Sequence, residues 1–382
     1  MSSPRIAVVG TGVIGAMTAW RLALRGADVL AFDTHSPGHD RGASAGESRI
    51  FRTAYKEGPA YVPLLQRARE MWRELERSAD ARLLTMCGGL TIGAPDDPDV
   101  AAVRRCAEQQ HLDHEVLGTA EARRRYPQHH LDEGEVMLLD PAAGVLRPEP
   151  AVQAALRAAE SAGARVLPHH PVAEAVETSS GWRISSGGET FEVDHAIFAP
   201  GPWARGLEPL RQLPVQPRVI TASWFAARDV AAHEPDALPI AIRRHPEAGF
   251  SCFPALDGAS IKIIPHHLPR PDLDRPEDLP RGESPEWARA AGRAAERLLP
   301  GVVPHPIRIA TYAEGFTPDE HALLGALPGS ANATVLTGFS GHGFKLAPVF
   351  GEIGTDLALT GTTGHDIAHL APERFAEAAD VR

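Results

Sequence analysis

Three stretches of this chain carry residue types and spacings that could do chemistry. Gly10-Thr11-Gly12-Val13-Ile14-Gly15 is a G-x-G-x-x-G, the pattern that brings backbone N–H groups to a pyrophosphate. Gly10 permits the tight turn, Gly12 lets the backbone approach the phosphates, and Gly15 lets the next helix pack close. Asp33 follows about 20 residues later, where an acid accepts hydrogen bonds from a ribose. Ser48-Arg49-Ile50-Phe51-Arg52 sets two arginines three apart. They are either solvated charges on a helix face, or one arginine for a cofactor and one for a substrate carboxylate. Gly338-Phe339-Ser340-Gly341-His342-Gly343-Phe344-Lys345 is a second glycine-rich turn opening a helix, and a helix N-terminus favours an anion.

These residues need elements to hold them. Residues 5–9 form a short β-branched run that reads as a buried strand. Residues 16–25 read as a helix closed by Gly26, and 29–32 as a second strand ending on Asp33. Strand, glycine turn, helix, strand and acid stand in the order a dinucleotide fold requires. Residues 36–47 read as a polar loop crossing the nucleotide. Residues 59–81 read as a helix, with Val62, Leu65, Ala68, Met71, Trp72 and Leu75 at helical spacing. Further helices are expected over 99–110, 120–126, 149–162, 286–299 and 346–360. Strands are expected near 87–93, 136–140, 165–167, 172–176, 182–184, 191–193, 195–199, 308–312 and 335–337. The strands at 220–224, 240–242, 250–253 and 260–264 suggest a separate antiparallel sheet. Residues 267–285, rich in proline and charge, read as a long surface loop. Lys262 alternates with Ile261 and Ile263, so it lies on the less apolar face, toward either solvent or a ligand.

Composition narrows the classes. The chain has 382 residues, 43% hydrophobic and 23% charged, enough for two domains. No apolar stretch reaches the roughly 18–20 residues a membrane helix needs. Met1-Ser2-Ser3-Pro4 leads straight into the first strand, leaving no room for a signal peptide. The net charge of −11 argues against a nucleic-acid partner. Three cysteines make neither a disulfide framework nor a zinc spacing, so a cytoplasmic setting is expected. Eighteen histidines include an H-x-x-H at His111 and His114, but no recognised ligand set, and no metal is expected.

Gly10 to Gly15, Ser48 to Tyr55, Asp140 to Leu146, Pro200-Gly201-Pro202-Trp203 and above all Gly338 to Lys345 resemble the monomeric sarcosine oxidase and N-methyltryptophan oxidase family. These are FAD enzymes of the D-amino-acid-oxidase-like superfamily, and the resemblance runs over nearly the whole chain. It implies an α/β fold: a Rossmann-type FAD-binding domain (1–85, 147–217 and 312–382) interleaved with an antiparallel β-sheet substrate domain (86–146 and 218–311). It also implies roles. Arg52 and Lys345 hold the substrate carboxylate, and Arg49 lies beside the flavin ring. Lys262 falls where the family has the lysine that activates oxygen, and His266 where it has a substrate-site histidine. Asp33 is the ribose acid and Val172 lies beside the adenine. Ser44, Ser48, Gly201, Trp203, Gly341, His342, Gly343 and Phe344 are further candidate cofactor contacts beside the glycine turn.

The chain departs from the family at two positions. The cysteine that usually links the flavin corresponds to Tyr312, so non-covalent FAD is expected. An active-site tyrosine corresponds to Ser251, which widens the site beyond what sarcosine needs. The implied activity is oxidation of the C–N bond of a secondary, N-methyl or cyclic amino acid to an imine, with O2 reduced to H2O2, by a monomer. The alternatives are a flavin-dependent dehydrogenase or desaturase with another electron acceptor, an NAD(P)-dependent dehydrogenase using the N-terminal motif alone, and a non-catalytic FAD-binding protein.

Overall fold

The computed structural model describes residues 3–280, 282 and 284–378. Strand Arg5–Val9 lies between Asp28–Phe32 and His195–Phe198, parallel to both. Buried between two neighbours and covered on both faces, it is apolar throughout after its first residue. The full sheet has six strands in the order Leu323–Ala326, Ala333–Thr337, His195–Phe198, Arg5–Val9, Asp28–Phe32, Arg165–Leu167. All its pairings are parallel except that of the first two strands. The strand order reverses direction about Arg5–Val9, the switch point where such sheets bind ligands.

Helix Val13–Leu24 begins immediately after Gly12, three residues earlier than the sequence suggests, and packs against helices Pro148–Ser161 and Ala347–Thr360. At Gly15 a Cβ would stand 1.8 Å from the carbonyl oxygen of Gly10. Only a bare Cα lets the helix start so close to its own turn.

The second large sheet has eight strands in the order Val302–Phe316, Gln216–Ala227, Ser260–Pro265, Phe250–Phe253, Ile240–Arg243, Gly89–Gly93, Val136–Asp140, Glu115–Leu117. It is antiparallel as expected, apart from one parallel pairing between Ile240–Arg243 and Gly89–Gly93. That pairing joins two stretches far apart in sequence, which local pattern does not reveal. Its back face packs on helix Pro285–Leu298 through Phe225, Ile261, Ile263, Leu298 and their neighbours. Its other face looks into the cavity described below.

Arg49–Phe51 is a strand rather than a helix face, pairing with Gly144–Leu146 in a small three-stranded sheet. Residues 267–285 are more than surface loop. Asp272 bridges to Arg218, Val219 N donates to Pro271 O at 2.9 Å, and several members of the stretch line the cavity. We propose that the interleaved division holds as two folding units with limits near 85, 146, 217 and 311. Strand Val302–Phe316 runs unbroken through the last of these limits. No helix among the described residues is long and apolar enough to cross a membrane.

Candidate active site

A cavity of about 1810 Å³ runs from the Gly10 turn to the face of the eight-stranded sheet. It exceeds the roughly 300–1,000 Å³ of a single small-ligand pocket, as a site holding a dinucleotide and a substrate must.

At the dinucleotide end, Gly10 has φ +94°, and a Cβ there would stand 2.4 Å from Ala199 O. A Cβ on Gly12 would meet only Ser44 Oγ, at 3.3 Å, and one on Gly201 would meet nothing within 4 Å. The backbone is thus bare where a pyrophosphate would approach. Asp33 is already engaged by the turn, since its Oδ2 accepts from Thr11 N (2.7 Å) and Thr11 Oγ1 (2.9 Å) and its Oδ1 from His35 N (2.9 Å). Ser44 Oγ accepts from Val13 N at 3.0 Å, supplying a partner at the start of the helix. Val172 lines the same end, and Trp203 closes it, donating to Glu277 Oε1 at 2.7 Å. These features fit FAD: a bare turn, an acid one strand away, and an apolar residue and an indole for the adenine end. Val13, Ile14, Gly341, His342, Gly343 and Phe344 also line the cavity.

Two expected contacts lie elsewhere. Gly15 is spent on the helix–turn contact and does not line the cavity. Ser48 is 3% exposed and also lies outside the lining, acting through its carbonyl. Nor does the α-helix start directly on the second glycine turn. A 3-10 turn, Phe344–Leu346, precedes helix Ala347–Thr360, and Gly341 N already donates to Glu314 Oε1 at 2.8 Å.

The strap 43–49 passes between the two ends. Gly46 (φ +94°) and Glu47 (φ +67°) are both left-handed, a costly conformation for glutamate. Four groups hold it there. Glu149 Oε1 accepts from Gly46 N (2.6 Å) and Glu47 N (3.1 Å). Lys262 Nζ donates to Gly46 O (2.8 Å) and Ser48 O (2.6 Å). Trp224 Nε1 donates to Glu47 Oε2 at 2.8 Å, and Arg308 pairs with the same carboxylate. Arg49 folds back onto Ser48 O and Ala43 O, both at 2.8 Å. Burial lowers the Arg49 pKa.

Lys262 therefore faces the cavity, not solvent. It is 2% exposed, with Nζ 4.0 Å from the centre of the Phe253 ring. Burial first, and Arg49 second, push its pKa well below the usual lysine value.

Arg52 and Lys345 converge on one ring. Arg52 Cζ and Lys345 Nζ each lie 5.0 Å from the centre of Tyr55. Arg52 also pairs with Glu57 at 3.3 Å. Burial, reinforced by Arg52, lowers the Lys345 pKa to about 7. A hydrogen-bonded chain supports the lysine. His342 Nε2 faces Glu320 O at 2.8 Å, so it carries the proton, and Nδ1 accepts from Tyr55 Oη at 2.9 Å. Lys345 Nζ in turn donates to Tyr55 Oη at 3.2 Å and to His342 O at 3.0 Å.

His266 lines the cavity beside Ser251, with Nε2 2.9 Å from Ser251 Oγ. Burial and four cations (Arg270, Arg244, Lys56 and Arg52) lower its pKa to about 3, so it is neutral at pH 7. Tyr312 lies at the strap, where a Cβ on Gly46 would stand 3.0 Å from its Oη. Among the described residues, no group of three or more His, Cys, Asp or Glu converges as a metal site.

Sequence reasoning missed Lys56, Tyr55, Glu57, Arg244, Arg270 and Glu149. Period-two alternation gives Arg244 a signal, since it follows Ile242, which pairs with Ser251. Lys56, Tyr55, Glu57 and Arg270 are brought in by loops, and Glu149 by the first turn of helix Pro148–Ser161, and no local pattern encodes their approach.

The model of the DAO family, described as FAD dependent oxidoreductase, matches residues 5–357. The monomeric sarcosine oxidase of Streptomyces avermitilis is 36% identical over 376 residues, covering 98% of each chain. The N-methyl-L-tryptophan oxidase of Salmonella arizonae is 31% identical over 371 residues, 97% of this chain and 98% of the other. Among solved structures, NikD, an unusual amino acid oxidase essential for nikkomycin biosynthesis, in its open form, superposes with a TM-score of 0.85. That match is 24% identical and covers 97% of this chain and 98% of the other. The L-proline dehydrogenase from P. horikoshii gives 0.85 at 20% identity, covering 99% of each. The two structural likenesses speak to the fold, and the family model and the two sequence relatives to more: the chain belongs to the DAO family of FAD dependent oxidoreductases.

Proposed function

We propose that this protein oxidises the C–N bond of a secondary, N-methyl or cyclic amino acid to an imine and passes the electrons to O2, giving H2O2. The observation that carries this reading is the convergence of Arg52 and Lys345 on Tyr55, in the cavity that also contains the Gly10 turn. Two cations at one point suit a carboxylate, and arginine can hold one bidentately. FAD, when bound, supplies the acceptor for the hydride equivalent leaving the carbon next to nitrogen. The chain orients that carbon through the substrate carboxylate. His266, neutral and buried, adds no positive charge beside the amine. Lys262 offers a cation on the cavity wall, where charge would develop on oxygen.

FAD is proposed to be held without a covalent bond. Tyr312 stands at the position of the usual linking cysteine, and Cys252 is buried with its thiol pKa raised to about 12 by desolvation. Such a thiol is a poor nucleophile.

The test has two steps. Acid precipitation should leave free FAD in the supernatant; flavin remaining with the pellet overturns the non-covalent reading. N-methyl and cyclic amino acids are then screened for anaerobic flavin bleaching, and for peroxide yield in air. Bleaching with stoichiometric peroxide supports the oxidase. Bleaching without peroxide transfers the assignment to a dehydrogenase or desaturase with another electron acceptor.

A further inference from the structure

A substrate with a single carboxylate leaves much of the cavity's positive charge unused. Beyond Arg52 and Lys345, the wall around His266 carries Lys56, Arg244 and Arg270. Lys56 is committed, with Nζ 3.5 Å from Asp99 and 4.0 Å from Glu57. Of the two arginines, one is ion-paired and one is not. Arg244 lies 3.2 Å from Asp99 and 3.6 Å from Asp97, yet its guanidinium donates no hydrogen bond to any described residue, and its Nε is buried without a partner. Arg270 has neither a hydrogen bond nor an ion pair among the described residues; Glu314 and Glu320 are near enough to influence it, but not in contact. Burial, the largest influence, lowers its pKa. On the same wall His266 Nδ1 is also buried and unpartnered, with Nε2 fixed on Ser251.

The backbone that carries the three groups is anchored. Arg244 N donates to Ile92 O at 2.7 Å, and His266 N to Gly249 O at 2.8 Å. Just beyond Arg270, the chain is clamped to the neighbouring strand by the Asp272–Arg218 bridge. Arg270, exposed on the cavity wall and without a partner, is free to meet an anion, and the buried, unpartnered Nδ1 of His266 is costly until a ligand reaches it.

We infer that Arg244 and Arg270, on the cavity wall that also carries His266, form a second anion subsite, and that the substrate is an amino acid with a second carboxylate on its side chain or its nitrogen substituent. This inference rests on the proposed amine oxidation for its substrate, but its geometry stands apart from it. The first carboxylate lies at Arg52 and Lys345, and the second at Arg244 and Arg270. Ser251, in place of a tyrosine, leaves room between them. Glu314, the carboxyl with the strongest influence on Arg270, is held back by Gly341 N, and burial raises its pKa. It opposes an anionic occupant less than an ordinary glutamate would.

Binding is measured first, because it needs no turnover. Glutarate and butyrate are titrated into the FAD-loaded protein and followed by calorimetry. Glutarate should bind at least tenfold more tightly, and Arg244→Gln and Arg270→Gln should each remove most of that ratio. Arg270 is on an exposed stretch, so its variant keeps the test valid if Arg244→Gln does not fold. Equal binding of the two acids overturns the subsite, as does tighter binding of 5-aminopentanoate, which would assign the wall to Glu314 and a cationic substrate. Turnover of N-methyl-L-aspartate is then compared with that of N-methyl-L-alanine. Glutarate selectivity without oxidation of any amine would retain the subsite and sink the proposed reaction. Amine oxidation without a preference for the diacid in either assay would do the reverse.

Discussion

Lys262 and Lys345 are both buried, and each is held by acceptors rather than by a carboxylate. Burial without a counter-ion lowers a lysine pKa, so the charge each contributes depends on pH. For Lys345 the pKa is about 7. The lysine is charged below that value and neutral above it. Affinity for a carboxylate-bearing amine should therefore fall by up to about tenfold per unit as pH rises past 7, the limit for loss of one proton. Tyr55→Phe removes an acceptor of the ammonium and should move the midpoint lower. Binding that stays flat from pH 6 to 9 would show that Arg52 alone holds the carboxylate. For Lys262, replacement by methionine keeps the stem's packing and removes the charge. Anaerobic flavin reduction should stay near normal while re-oxidation by O2 slows at least ~100-fold, or about 2.7 kcal/mol of barrier. Unchanged re-oxidation would leave Lys262 only its bonds to the strap.

At the scale of elements, the strap 43–49 joins the two sheets. It is left-handed at Gly46 and Glu47 and stays so because Glu149, at the start of helix Pro148–Ser161, accepts both of their amides. Glu149→Ala would leave those two N–H groups unpaired and cost roughly 1–3 kcal/mol for each that is buried. The loss should appear as FAD affinity weakened at least tenfold, measured by fluorescence titration of the apoprotein, since the strap carries Ser44 and Arg49. Unchanged FAD affinity would mean that the other anchors suffice. Much of this frame was legible in the sequence, including a polar loop over 36–47, but the strap's contacts with Glu149 and Lys262 were not. The first strand, the glycine turn and Asp33 announce themselves because one βαβ unit is a local object, whose pattern is set by burial on both faces. Lys262 could be placed on the opposite face from Ile261 and Ile263, but the choice between solvent and ligand depended on what covered that face. The cover is the strap, more than 200 residues earlier in the chain. Glu149 gave no signal for the same reason: a glutamate in the first turn of a helix reads as an ordinary dipole partner.

For the whole molecule, the eight-stranded sheet contains a polar knot with consequences for stability. Arg243, wholly buried, pairs with Glu135 at 2.7 and 2.5 Å. Nearby, His129 is 2% exposed, with neither ring nitrogen partnered. Burial, with Arg243 second, lowers its pKa to about 3. The unfolded chain binds a proton on this residue below about 6.5; the folded chain does not until about 3. Between those values the unfolded state holds more protons, so stability must fall as pH drops through the window and level off above it. His266, also near 3, and His195 and His342, each near 4, act in the same direction. His129 alone removes roughly 2 kcal/mol between pH 7 and pH 5, a sizeable part of the 5–15 kcal/mol typical of a folded domain. His129→Leu takes one such proton out of the balance. Urea unfolding at the two pH values should then show a stability difference smaller by roughly that amount than in the parent protein. An unchanged difference would mean that His129 takes up its proton within the folded core, and that the acid sensitivity lies in the cavity histidines instead.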